Sequence, residues 1–289
     1  MSMKKASLYL IFSAFCFAVM NYGVRMMGDV PTFQKALFRN LFPLIISSIV
    51  IIREKPELKF EKGAITFVLL RSILGTIGVI ANFYSIDHLA LADAAIFNKM
   101  SPFFIIILSA IFLKEKIKPY QAISLFIAFI GVYLVSGPNN LGFSTNHIIA
   151  LFGGFCAGAA YTALRHVTKN LHVSNSIVIF SFSLISCLIT IIPTIQNYAP
   201  MDNKTLFFGI VAGIGAALGQ YGITNAYSLA ASNRISIFDY TNILFNFIFG
   251  FVFFNEIIKL NALIGIALIF GASLFMFIKN IKSVNQYEK

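Results

Sequence analysis

Phe15-Cys16-Phe17-Ala18-Val19-Met20-Asn21-Tyr22-Gly23-Val24-Arg25 has a counterpart 140 residues on, Phe155-Cys156-Ala157-Gly158-Ala159-Ala160-Tyr161-Thr162-Ala163-Leu164-Arg165. The Phe-Cys pair and the arginine nine residues after it keep their places. The echo continues down the chain. Asn82-Phe83-Tyr84-Ser85 returns as Asn225-Ala226-Tyr227-Ser228, and Phe97-Asn98 ahead of Glu115 returns as Phe238-Asp239 ahead of Glu256. One apolar, membrane-crossing pattern is therefore written twice. A duplicated bundle of apolar spans is the sequence mark of a transporter, because two related halves can rock around a site between them.

Composition points to the same solvent. The 289 residues are 58% hydrophobic and only 11% charged, with a mean hydropathy of +0.83. A soluble domain carries about 25% charged residues, so lipid must surround most of this chain. A net charge of +11 would suggest nucleic acid in a soluble protein. Here the charges fall in short loops and tails, so membrane topology accounts for them and no nucleic-acid partner is expected. Cys16, Cys156 and Cys187 lie in apolar runs and are odd in number, which reads as buried packing rather than a disulfide framework.

A span needs about 20 mainly apolar residues at 1.5 Å rise each. That ruler places ten, at residues 6–27, 32–52, 64–86, 92–113, 119–137, 147–168, 174–195, 205–229, 233–254 and 261–279. The breaks include residues 53–62, 114–118, Gly137-Pro138-Asn139-Asn140 and the polar 196–204 segment. The runs are too long and too continuously apolar for barrel strands, which alternate over about ten residues. The first span lacks a small-residue cleavage site and more spans follow, so it reads as retained. With the amino terminus inside, inner loops and tails hold fifteen Lys and Arg, and outer loops only Arg25, Lys35, Lys204 and Lys259. Both termini are expected in the cytoplasm. Residues 1–140 and 141–289 then form two five-helix repeats, and an odd number of spans inserts the second upside down.

Several stretches now carry a family resemblance: Phe38-Arg39, residues 71–85, Leu91-Ala92-Asp93-Ala94-Ala95, Ser101-Pro102-Phe103, and Phe112-Leu113-Lys114-Glu115 ahead of Phe129-Ile130-Gly131-Val132. Over essentially its full length the chain resembles members of the drug/metabolite transporter superfamily built from two EamA-type repeats. The second repeat departs from the pattern, with Asn255-Glu256 for Lys-Glu and Asn242-Ile243 for Ser-Pro. The resemblance implies an all-α integral membrane fold, with ten transmembrane helices as two inverted repeats around a central cavity open to one side at a time. It implies a small-molecule substrate such as an amino acid, nucleoside, cofactor or drug-like solute, and it allows a homodimer through the fifth and tenth spans.

The chemistry is expected where lipid tolerates it least. Arg39, Arg71, Lys99 and Asp239 lie well inside spans, where each charge costs about 2.5–3.5 kcal/mol on insertion scales. Each should face the bundle interior, a partner or water; snorkelling to the interface is the plain alternative. None is repeat heritage. Lys99 aligns with Tyr240, and the positions matching Arg39 and Arg71 hold apolar residues or glycine. The reading expects Arg71 and Asp239 to form an inner-side ion pair that closes the cytoplasmic gate, with proton carriage by Asp239 as the other role. Three embedded cations against one acid favour a substrate with a carboxylate, phosphate or other electron-rich group. The expected substrate-binding set is Arg39, Asn82, Tyr84, Asn98, Lys99, Gln220, Asn225, Tyr227, Tyr240 and Asn242. Interhelical hydrogen bonding, worth about 0.6 kcal/mol each, is the rival role for the neutral members.

Other signals are structural. Gly154-x-x-x-Gly158 and Gly215-x-x-x-Gly219 let backbones approach, and Pro102, about one turn after Asn98-Lys99, is placed to kink its span. Glu115 and Glu256 sit at matched span ends and read as caps or latches, each for its own repeat. No metal spacing of histidines, no G-x-S-x-G elbow and no Walker loop is present, so no cofactor is expected and transport should be secondary or facilitative. A membrane enzyme acting on a lipid or isoprenoid substrate, or a passive channel, is the rival class. A cell (cytoplasmic) membrane is the expected location.

Overall fold

The computed structural model describes residues 2–56, 61–112, 117–136, 144–169, 171–229, 236–256 and 260–287. Among these the secondary structure is helical, without strands. In chain order the helices are α1 (Ser2–Met26), α2 (Thr32–Glu54), α3 (Ala64–His88), α4 (Leu91–Asn98), α5 (Ser101–Phe112) and α6 (Pro119–Ser136). There follow α7 (Thr145–Lys169), α8 (Asn175–Gln196), α9 (Asn203–Leu229), a 3₁₀ turn (Ser236–Tyr240), α10 (Thr241–Phe254) and α11 (Leu260–Tyr287). Among the described residues six segments are long and apolar enough to cross a membrane, at Lys4–Met26, Thr32–Glu54, Ala64–His88, Thr145–Thr168, Asn175–Gln196 and Asn203–Ala226. Shorter apolar helices run over Pro119–Gly131, Phe238–Phe254 and Leu260–Met276.

Two segments expected as single regular helices depart from that form. Residues 92–113 break into α4 and α5, with Lys99 and Met100 in a turn between them. Pro102 has no N–H to offer the carbonyl of Asn98, so the α-helical ladder cannot pass through. The turn closes locally instead: the Lys99 N–H bonds the carbonyls of Ala95 and Phe97, and the Phe103 N–H bonds Met100. Residues 236–240 form a 3₁₀ turn, and the regular helix starts only at Thr241. Broken spans inside a bilayer are tolerated where the freed backbone faces protein or a cavity.

Polar and apolar residues are distributed inside out. Ser13, Ser47, Ser72, Thr76, Ser85, Ser183, Ser186 and Thr190 are buried. Several bond the carbonyl one turn earlier, as Ser72 does to Val68 at 2.7 Å. Leu8, Ile52, Phe126 and Ile195, by contrast, are more than two-thirds exposed. Only an apolar solvent makes that arrangement favourable. The three cysteines are buried and unpaired.

Helices associate as pairs. The broadest contacts run between α1 and α9 and between α3 and α7, followed by α6 with α11 and α2 with α8. Close approach depends on small residues, since lipid gives no hydrophobic drive between helices. A Cβ on Gly215 of α9 would lie 2.8 Å from the carbonyl oxygen of Cys16 and 2.9 Å from the amide nitrogen of Met20. Nearby, the Ser13 hydroxyl donates to the Gly219 carbonyl at 2.6 Å. Outside the bilayer, Asp202 caps α9 by accepting from the Thr205 amide at 2.8 Å. Hydrogen bonds from Thr205 hold its carboxyl below the usual range.

Gly215→Ala is therefore expected to destabilise the detergent-solubilised protein by about 1–3 kcal/mol through overpacking. Gly271→Ala, whose Cβ would meet nothing within 4 Å, should leave the thermal midpoint nearly unchanged. Equal effects from the two substitutions in a thermal unfolding assay would contradict this packing account.

Candidate functional site

Inside the bundle lies a cavity of about 80 Å³, lined by residues of α1, α2, α3, α4, α7, α8, α9 and α10 and by Lys99 of the turn. That is room for a few waters. Seven of the residues singled out from the sequence line it: Arg39, Arg71, Asn82, Asn98, Lys99, Gln220 and Asn242. The snorkelling alternative fails for the charged residues, since Arg39, Arg71, Lys99 and Asp239 are all buried.

The charges pair differently from expectation. Lys99 Nζ donates to Asp239 Oδ1 at 2.8 Å, with both side chains buried, so the expected Arg71–Asp239 pair is absent here. The interrupted spans explain the difference. Releasing Lys99 from a continuous helix turns it toward the 3₁₀ turn that carries Asp239. In low dielectric the contact neutralises two charges that would each be costly alone.

The two arginines are held by rings. Arg71 lies over the Phe182 ring with its guanidinium carbon 4.3 Å from the centroid, and 6.0 Å from that of Tyr161. Arg39 lies over Phe182 at 5.3 Å. Arg39 Nη1 donates to Asn40 Oδ1 at 2.5 Å, and Asn40 Nδ2 donates to Ser186 Oγ at 2.7 Å, which ties this corner of α2 to α8. Pro43 leaves the Arg39 carbonyl without its helical donor. Gly75 makes room for Arg71, because a Cβ there would overlap Arg71 Nη1 and approach Phe182 to 2.9 Å. Gly154 does the same for the break after α4, where a Cβ would sit 2.5 Å from the Phe97 carbonyl oxygen.

A second polar cluster joins the end of α1, the start of α2, the end of α3, the start of α4 and the segment after α10. Both carboxylate oxygens of Glu256 accept from the Leu91 amide, at 3.0 and 2.9 Å, which places a negative charge at the amino end of α4. Arg25 lies 3.6 Å from Glu256, and donates to the carbonyls of Ile86 and, at 2.7 Å, Leu89. Lys35 Nζ, fully buried, donates to Asp87 Oδ1 at 2.6 Å. Two expectations change here. Glu256 caps the first half of the chain rather than its own, and Lys35 and Arg25 are ion-pair partners in a partly buried cluster rather than loop charges. Glu115, its sequence counterpart, lies outside the described residues.

Other expected residues lie elsewhere. Tyr84 donates to Asn146 Oδ1 at 3.2 Å and stacks on His88 at 4.0 Å, near the end of α3. Tyr240 is packed in the core with Ile96, Phe97 and Phe103. Asn225 is not among the cavity lining, and the Tyr227 side chain lies outside the described residues.

Residues that sequence reasoning missed include Phe17, Met20, Asn21, Ala157, Ala160, Tyr161 and Phe182, all on the cavity wall. A signal for most of them was present. At the same offset of 140, Phe17 matches Ala157, Met20 matches Ala160 and Asn21 matches Tyr161. Asn21 Nδ2 donates to Asn246 Oδ1 at 3.0 Å and Asn242 Nδ2 to the Ala14 carbonyl at 2.7 Å, so α1 and α10 are stitched beside the cavity.

Comparisons with known proteins follow the same lines. The profile of the EamA-like transporter family matches residues 4–137 and again 145–278. An uncharacterized transporter of Helicobacter pylori strain J99 is 27% identical over 277 residues, covering 92% of each chain. The pseudopaline exporter CntI of Pseudomonas aeruginosa is 26% identical over 259 residues, covering 88% of this chain and 89% of that one. A solved crystal structure shares the fold with a TM-score of 0.67 at 13% identity, covering 94% of this chain and 97% of that chain.

Removing one member of the Lys99–Asp239 pair should strand a buried charge and cost about 3–5 kcal/mol of stability. Lys99→Met alone is expected to lower the thermal midpoint more than Lys99→Met combined with Asp239→Leu. Additive losses in this double-mutant cycle would show that the two side chains do not interact.

Proposed function

The chain belongs to the EamA-like transporter family, and on that premise we propose that it carries one small metabolite by alternating access, with the buried polar cavity as its solute site. The observation that carries this reading is the convergence on one cavity of the span broken between α4 and α5 and the span that opens as a 3₁₀ turn, joined by Lys99 and Asp239. Discontinuous helices at the meeting of two repeats are where carriers bind their cargo. The cavity, at about 80 Å³, is below the roughly 300–1,000 Å³ of ligand pockets. It therefore has to open before it receives a metabolite.

In this proposal ten spans form two inverted repeats, residues 1–140 and 141–289, with both termini cytoplasmic. Helix pairing supports it. Exchanging the halves turns the contact of α1 with α9 into that of α7 with α3, and returns α2 with α8 and α6 with α11 to themselves. The Arg25–Glu256–Leu91 cluster and the Lys35–Asp87 pair then lie on the outer side and act as the closed outer gate. Asp239 serves as coupling or gating residue together with Lys99. Arg71 acts in the solute site rather than as the gate partner of Asp239.

Cysteine accessibility tests the cycle. In a background without Cys16, Cys156 and Cys187, a cysteine at Asn82 is expected to resist an impermeant thiol reagent added outside. Adding Arg25→Ala should raise that labelling several-fold, because a gate contact is gone. Unchanged labelling would remove the gate. Counterflow of labelled solute in proteoliposomes separates the classes: a carrier accelerates exchange, a channel does not, and an enzyme yields product.

A further inference from the structure

The cavity wall carries Arg39, Arg71 and Lys99, more positive charge than the neighbouring acid neutralises. Asp239 is engaged by Lys99. That leaves Arg39 and Arg71, which have no carboxylate within ion-pair distance among the described residues. Both are buried, and the Nε of each has no hydrogen-bond partner. Arg39 spends one donor on Asn40. The ring faces of Phe182 and Tyr161 repay only part of the cost of taking a guanidinium out of water. Two guanidinium forks, neither with a carboxylate partner among the described residues, converge on one aromatic ring.

We propose that the solute taken up by this cavity carries an anionic group, a carboxylate or a phosphate, bound jointly by Arg39 and Arg71 beside Phe182. The inference rests on the reading of the cavity as the solute site and names the cargo's class. Guanidinium forks match both anions by paired N–H donors, and the same two charges repel a cationic solute. The remaining wall calls for an organic anion rather than a bare ion. Asn82 and Gln220 offer carboxamides for hydroxyl or amide groups, while Phe17, Val79 and Phe83 offer apolar surface. Gly75 belongs to the receptor, since its missing side chain is the space that Arg71 and Phe182 occupy.

The test uses the full chain purified in detergent. Thermal unfolding is followed with sodium benzoate, sodium phenyl phosphate, sodium phosphate and benzylammonium chloride, at constant ionic strength against sodium chloride. Benzoate or phenyl phosphate is expected to raise the midpoint saturably, and whichever acts at lower concentration identifies the group as carboxylate or phosphate. Benzylammonium should have no effect. In Arg39→Gln and Arg71→Gln the concentration for half-effect should rise at least about tenfold, with the lysine variants intermediate. The proposal is overturned if neither aromatic anion stabilises the wild type, if benzylammonium stabilises it as well, or if both glutamine variants keep the full response. Should those variants fail to fold, the wild-type contrast between benzoate and benzylammonium decides alone. Counterflow of the stabilising anion separates the two readings. An anion that binds without exchanging would sink the carrier and leave the anion site, whereas exchange of a cationic solute with no anion response would do the reverse.

Discussion

A lipid tail offers no hydrogen bond, and that constraint governs every level of this molecule. Backbone groups must be satisfied within helices or a closed barrel, and the described chain is helical. Side-chain hydroxyls turn inward and bond the turn behind them, as Ser72 and Thr76 do. Large apolar residues such as Leu8 and Phe126 turn outward. The polar groups set within the helices gather in two places, around the cavity at the meeting of the helices and in the cluster of Arg25, Lys35, Asp87 and Glu256.

The interruptions follow from the same constraint acting on particular residues. Pro102 removes the donor for Asn98, and the resulting turn frees Lys99 to reach Asp239 across 140 residues of sequence. The pair links the two halves of the chain inside the bundle. Glu256 makes a second link by capping α4, a helix of the other half. A duplicated sequence thus closes on itself through contacts between halves rather than within them. The Lys99–Asp239 and Glu256–Leu91 links are polar and small in area, unlike the close glycine-mediated seams of α1 with α9 and α3 with α7, which also join the halves. A motion that breaks the polar links and keeps the seams would move α1 with α9 and α3 with α7 as pairs drawn from both halves.

How much was legible depended on whether a property is local. Span positions could be read because apolar length is a sum over neighbouring residues. The burial of Arg39, Arg71, Lys99 and Asp239 could be expected because lipid penalises a charge within a span, although snorkelling stayed open until their packing was seen. Their pairing could not. Depth along a helix axis follows from counting, but the direction a side chain points around the axis depends on where the neighbour packs, and Arg71 was assigned to Asp239 on depth alone. Phe182 and Tyr161 were hidden for a related reason. In a chain with 32 Phe and 11 Tyr, an aromatic residue carries no mark of facing a cation instead of lipid.

The amino-acid sequence alone determined the solvent, the helical kind of the apolar segments, the echo of one half in the other and the charges set inside spans, because each rests on composition or spacing along the chain. Only the tertiary structure decided that Lys99 meets Asp239, that Arg39 and Arg71 share the ring of Phe182, and that Glu256 caps α4. Those contacts join residues far apart in sequence, and their geometry is set by helix rotation and by the room that single glycines leave.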